Sequence, residues 1–95
     1  MKKKNISRSK AKRAMALLAR VMELNANAKP DIAYILEFNG TTNGIYFNKM
    51  RNTDNHFEPL IHIYAYLDNN DLGYPINAIE AVIADEEKSQ QEEQK

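Results

Sequence analysis

Two histidines, His56 and His62, stand six residues apart across a loop-to-strand boundary. A zinc centre needs three or four ligands, and this chain has no cysteine to complete one. Glu58 lies four residues before His62 and would share its face in an evenly extended segment. At ~3.3 Å per residue the pair stands roughly 13 Å apart, beyond the reach of proton transfer. Ser7, Ser9 and Ser89 all fall in terminal segments, so no hydroxyl nucleophile has a base beside it. The run from Asp68 to Gly73 has the opening of a calcium loop. Its fifth position is Leu72 and its twelfth is Ile79, where a bidentate Glu is required, so it reads as a turn. These residues predict a non-enzymatic protein with no cofactor and no metal.

Gly44-Ile45-Tyr46 matches the first half of the GIY-YIG nuclease signature, but no Tyr-Ile-Gly follows. The stronger signals are for binding. Lys2, Lys3, Lys4, Arg8, Lys10, Lys12, Arg13 and Arg20 form a basic N-terminal region that can neutralise phosphates, giving salt-sensitive and largely sequence-blind affinity for nucleic acid. A second set, Tyr46, His62, Tyr64 and Tyr66, offers apolar bodies with polar tips, the chemistry of a protein interface. Aromatics on a sheet can also stack on exposed bases. Each set has a plainer reading: a solubilising arm in the first case, and a face covered by a helix in the second.

The elements that would position these residues can be read from periodicity. Ser7 or Ser9 can cap a helix that runs from Lys10 to about Asn25, where Ala11, Ala14, Met15, Leu18, Val21 and Met22 recur at helical spacing. Leu17 and Leu24 widen that stripe to roughly half the circumference, with Lys12, Arg13, Arg20 and Glu23 opposite. Pro30 then closes off helix and opens the segment 31–38, where alternation sets Ile32, Tyr34, Leu36 and Phe38 on one face. The Asn39–Gly44 run predicts a hairpin loop with two pairs of residues tolerant of positive φ. The return strand covers 45–50 and a polar loop 51–56. A third strand at 60–67 sets Ile61, Ile63, Ala65 and Leu67 against Leu60, His62, Tyr64 and Tyr66. Pro59 suits the start of that strand or a sheet edge. Pro75 suits the first turn of a second helix carrying Ile76, Ile79, Val82 and Ile83 on one stripe, with Asn77 and Glu80 as a loose capping pair.

The predicted architecture is α+β: a three-stranded antiparallel sheet flanked by N- and C-terminal helices, in the order α-β-β-β-α. Residues 1–9 read as a flexible basic arm, 10–84 as one domain, and 85–95 as an acidic polar tail. A double-stranded RNA-binding domain has the same coarse order. Its lysine cluster at the second helix is replaced here by Gly73-Tyr74-Pro75-Ile76-Asn77-Ala78, and topology does not carry function. Both strand faces bear apolar bodies, so either the helices divide between the faces or one face meets a partner.

Ninety-five residues allow a single core, and 43% apolar with 27% charged composition is that of an ordinary soluble domain. No apolar run approaches the ~20 residues of a membrane span, no signal peptide follows the first lysines, and cysteine is absent, so the expected location is cytoplasmic. The Asn- and Lys-rich usage fits a bacterial or phage source. The zero net charge hides a strong asymmetry: eight basic and no acidic residues in 1–22, then a net −4 in each of 23–79 and 80–95. The leading expectation is a binding module that contacts nucleic acid through its arm and first helix. The alternative is a protein-interaction module or homodimer that uses the tyrosine face or a strand edge.

Overall fold

A computed structural model describes residues 5–70 and 72–93. The order is α1 (Arg8–Ala26), β1 (Ile32–Asn39), β2 (Gly44–Thr53), β3 (His56–Tyr66) and α2 (Ile76–Glu93). This is the α+β arrangement expected, with one antiparallel sheet in the order β1-β2-β3. Ser7 caps α1 in extended conformation, its side chain accepting from the Lys10 N–H. Pro75 sits immediately before α2 rather than inside it, and its carbonyl accepts from the Ala78 N–H.

Both helices pack on the same face of the sheet. The core joins Leu17, Val21 and Leu24 of α1 and Ile76, Ile79 and Ile83 of α2 to Tyr34, Ile45, Phe47, Ile63, Ala65 and Leu67. Every sheet residue in that cluster belongs to one alternation class, as the strand faces predicted. Of the half-circumference apolar arc on α1, only one side is buried. Met15, Leu18 and Met22 are 73%, 47% and 66% exposed. A three-stranded sheet leaves room for two helices, and α2 takes the place that the wider arc would otherwise fill.

The two helices lie side by side and run in the same direction. Arg13 meets Glu80, Arg20 meets Glu87, and the Gln90 amide donates to the Leu24 carbonyl. The first two contacts repeat at seven-residue steps on both helices, which keeps the same faces opposed over two turns. Neither helix is charged to suit its own dipole, since α1 has no acid in its first turn and α2 no base in its last. The charges are complementary between helices instead.

The β2–β3 hairpin is longer than the sequence suggested. The polar stretch 51–56 continues both strands to a tight two-residue turn, with Asp54 at φ 50° and Asn55 at φ 66°. Positive φ at both central positions is the type I′ geometry that matches the twist of paired strands. In the first hairpin only Asn43 has positive φ, at 54°, and neither of its glycines does. Gly44 serves space there: a Cβ would stand 3.3 Å from the Ala65 carbonyl oxygen. Pro59 lies within the edge strand β3, next to a bulge at Leu60 where the register shifts between Lys49 and Met50. The extra residue changes the alternation, so Glu58 (opposite Arg51) and His62 (opposite Asn48) fall on different faces instead of sharing one.

Candidate functional site

The face of the sheet turned away from the helices carries Ala33, Ile35 and Glu37 from β1, Tyr46, Asn48 and Met50 from β2, and His62, Tyr64 and Tyr66 from β3. None of these residues joins the core. Antiparallel sheets with one face in water ordinarily show polar, often charged, residues there. Here the face is aromatic and aliphatic, Glu37 is its one carboxylate, and it has no lysine or arginine.

The sequence-predicted set Tyr46, His62, Tyr64 and Tyr66 is brought together as one continuous array. Tyr46 packs beside His62 at 6.0 Å between ring centroids and beside Tyr64 at 5.8 Å. Tyr64 meets Tyr66 edge-on at 6.0 Å. His62 Nδ1 is turned to the Asn48 side-chain oxygen, which fixes the ring on the neighbouring strand. One member was missed from sequence. Tyr74 extends the array, edge-on to Tyr64 at 6.2 Å, because its N–H donates to the Tyr64 carbonyl at 3.0 Å and straps residues 73–74 along the outer edge of β3. Gly73 makes that approach possible: a Cβ would fall 2.5 Å from the Tyr64 ring. A glycine followed by a tyrosine after a turn was the available signal. Tyr46, Tyr64 and Tyr66 are half-buried in this array, while His62 and Tyr74 at its margins are exposed. Beyond them the long hairpin carries Phe57, 60% exposed, opposite Asn52 on the same side.

The basic set is dispersed by comparison. Lys2, Lys3 and Lys4 lie outside the described residues. Lys10 Nζ donates to the Asp68 carbonyl at 2.7 Å. Arg13 pairs with Glu80 at 3.5 Å, and Arg20 grips Glu87 through two nitrogens. That bidentate pair is the stronger of the two, while a half-exposed pair like Arg13–Glu80 contributes on the order of 0–1 kcal/mol. Arg8 and Lys12 remain exposed, without an acidic partner among the described residues. The acids that hold Arg13 and Arg20 sit on α2, which continues to Glu93 through the stretch read as a tail.

A second polar cluster lies on the helix side. Glu86 of α2 receives the Tyr34 hydroxyl at 2.9 Å and Lys49 Nζ at 2.6 Å on the same oxygen. Lys49 also stands 5.7 Å from the centre of the Tyr34 ring, close enough for a cation–π contact. The three groups wall a polar cavity of about 190 Å³ together with Asp31 and Arg51. Burial, followed by the hydrogen bond to Glu86, pushes the Tyr34 phenol well above its ordinary value. A phenol raised in the folded state stabilises fully below its unfolded pKa of about 10, and that contribution is lost as pH climbs through the higher folded value. Spectrophotometric titration at alkaline pH is therefore expected to show one of the five tyrosines ionising only with unfolding. In Tyr34→Phe that late phase disappears; its persistence would mean that another tyrosine is the protected one.

Among the described residues no three His, Asp or Glu side chains cluster as a metal site, and no helix is long and apolar enough to cross a membrane. Comparison with protein-family models, with curated proteins and with solved structures yields no match.

Proposed function

We propose that this chain is a small non-enzymatic binding module whose working surface is the open tyrosine face, and that its ligand is a protein surface. One observation carries the reading: Tyr46, His62, Tyr64, Tyr66 and Tyr74 form a continuous array on a face without helix cover and without a cation. Buried interface centres are rich in tyrosine and poor in charge. A nucleic acid laid on the same face could stack its bases, but its phosphates would find Glu37 and no lysine or arginine.

The occupant testable without further identification is a second copy, docked sheet to sheet at the ~10 Å spacing of packed β-layers. Light scattering after size exclusion is expected to report a dimer that persists at high salt. Tyr64→Ala combined with Tyr66→Ala is expected to give a folded monomer, because both rings lie outside the core. A wild-type dimer indifferent to the pair of changes would remove the face from consideration.

The second reading, nucleic acid bound through the arm and α1, is favoured by the exposure of Arg8 and Lys12, which continue the basic run of residues 2–4. Its proper test is Arg8→Gln with Lys12→Gln, since neutralising Arg13 or Arg20 would also loosen the helix pair. Duplex binding that vanishes at high salt and weakens in this variant would move the function to the arm.

A further inference from the structure

Each sheet edge is a row of backbone groups open to pairing, and this fold closes part of each. On β3, Pro59 has no N–H, the bulge at Leu60 breaks the ladder, and Tyr74 donates to the Tyr64 carbonyl; just past the strand, Ser7 donates to the Leu67 carbonyl. On β1, the Asn25 side chain acts as a one-residue neighbouring strand. Its oxygen accepts from the Tyr34 N–H at 2.8 Å, and its amide donates to the Tyr34 carbonyl at 2.7 Å. Outward-facing residues alternate along an antiparallel edge, so Leu36 and Phe38 follow Tyr34 in presenting their N–H and C=O groups away from β2. Nothing equivalent to Asn25 covers them among the described residues.

The open stretch coincides with an apolar groove. Between α1 and β1 lies a channel of about 360 Å³ walled by Ile6, Met15, Leu18, Leu36 and Phe38, with Ile45 and Leu67 at its base. Phe38 is 50% exposed there and Met15 73%. On the opposite side of the strand, between Leu36 and Phe38, stands Glu37, exposed and without an ion pair among the described residues. A strand laid against this edge must therefore alternate: apolar side chains into the groove and a cation beside Glu37 on the other face.

We propose that the Leu36–Phe38 edge is a second docking site, which accepts a short extended segment of a partner protein with the pattern apolar–basic–apolar. The segment adds to the sheet as a fourth strand. Its basic residue lies on the sheet face away from Arg8 and Lys12, so those cations do not oppose it. A second copy of β1 is a poor occupant. Pairing Leu36 with Phe38 about a twofold axis sets Glu37 directly opposite its own mate, where like charges destabilise. Shifting to pair Leu36 with Leu36 sets Phe38 against Tyr34, whose edge Asn25 already occupies.

The test is a titration of the isotope-labelled chain with a capped seven-residue peptide alternating valine with lysine, followed by amide NMR. The amides of Leu36 and Phe38 are expected to shift and to exchange more slowly. Binding is expected to be about five-fold weaker when glutamate replaces lysine in the peptide, as opposed charges across strands require. Glu37→Lys, an exposed change that leaves the fold intact, is expected to invert that preference. An N-methylated peptide, unable to donate to the edge, is expected not to bind. Absence of shifts at Leu36 and Phe38, shifts confined to Tyr46, Tyr64 and Tyr66, or an unchanged preference in Glu37→Lys would each overturn the proposal. So would line broadening at Leu36 and Phe38 that depends on protein concentration alone, since the occupant would then be a second copy. The outcome is separable from the tyrosine-face reading, because Tyr64→Ala with Tyr66→Ala should leave this titration unchanged.

Discussion

Phe47→Ala is expected to remove about 3–5 kcal/mol of stability, the range for deleting a buried aromatic ring. The residue sits in the middle of the central strand with no exposed surface, and its ring is stacked on Tyr34 at 6.0 Å between centroids. Its neighbours cannot close the gap easily, because β2 is held on both sides by β1 and β3 and roofed by two helices. A domain of this length has about 5–14 kcal/mol in total, so the variant approaches the limit of folding at physiological temperature. Urea denaturation monitored by far-UV circular dichroism is the measurement, with Phe57→Ala as the comparison. Phe57 is 60% exposed on the overhanging hairpin, and its loss is expected to change stability by no more than about 0.5 kcal/mol. Similar losses in the two variants would mean that the core is not centred on β2.

The second large effect is expected at Asn25, and it distinguishes the isosteric change to Asp from truncation to Ala. Asn25→Asp keeps the acceptor for the Tyr34 N–H but sets a carboxylate oxygen against the Tyr34 carbonyl, where the amide now donates. Asn25→Ala removes both bonds, yet it regains about 0.6 kcal/mol of helix propensity at the last turn of α1. Leaving a partly buried backbone group unpaired costs about 1–3 kcal/mol. The expected order of stability is therefore Asn, then Ala, then Asp, with the Asp variant down by about 2–3 kcal/mol. Amide hydrogen exchange at Tyr34 should quicken in Ala and in Asp. Asp ranking above Ala would show that only the acceptor matters and that the carbonyl is hydrated.

The alternation of Ile45 with Phe47, and of Ile63 with Ala65 and Leu67, made the buried face legible before any coordinates, because a two-residue period admits only two solutions. The helix–strand order followed from Pro30, the Asn39–Gly44 run and Pro75. What escaped was decided by pairing at a distance. The Asp54–Asn55 turn was hidden inside a polar stretch, because its strands there point into water and carry no apolar signal. The inner side of the α1 arc could not be told from the outer: Met15 and Leu17 are equally apolar, and the position of α2 chooses between them. Glu86, Glu87 and Gln90 read as a solvated tail, since each finds its partner on an element tens of residues earlier. The array of Tyr46, His62, Tyr64 and Tyr66 was legible as a face. Its lack of a covering helix was not, because either face of the sheet could have been chosen.

The same-direction packing of α1 and α2 also fixes where the chain enters and leaves. Arg8 stands near the start of α2, and Glu93 lies beyond the level of Leu24, so the two exits are separated by the length of a helix, about 27 Å at 1.5 Å per residue. A circular permutant would need a connector of at least about eight extended residues to join them. Modules fused before Arg8 and after Glu93 would project from opposite poles, and tandem copies would extend as a rod.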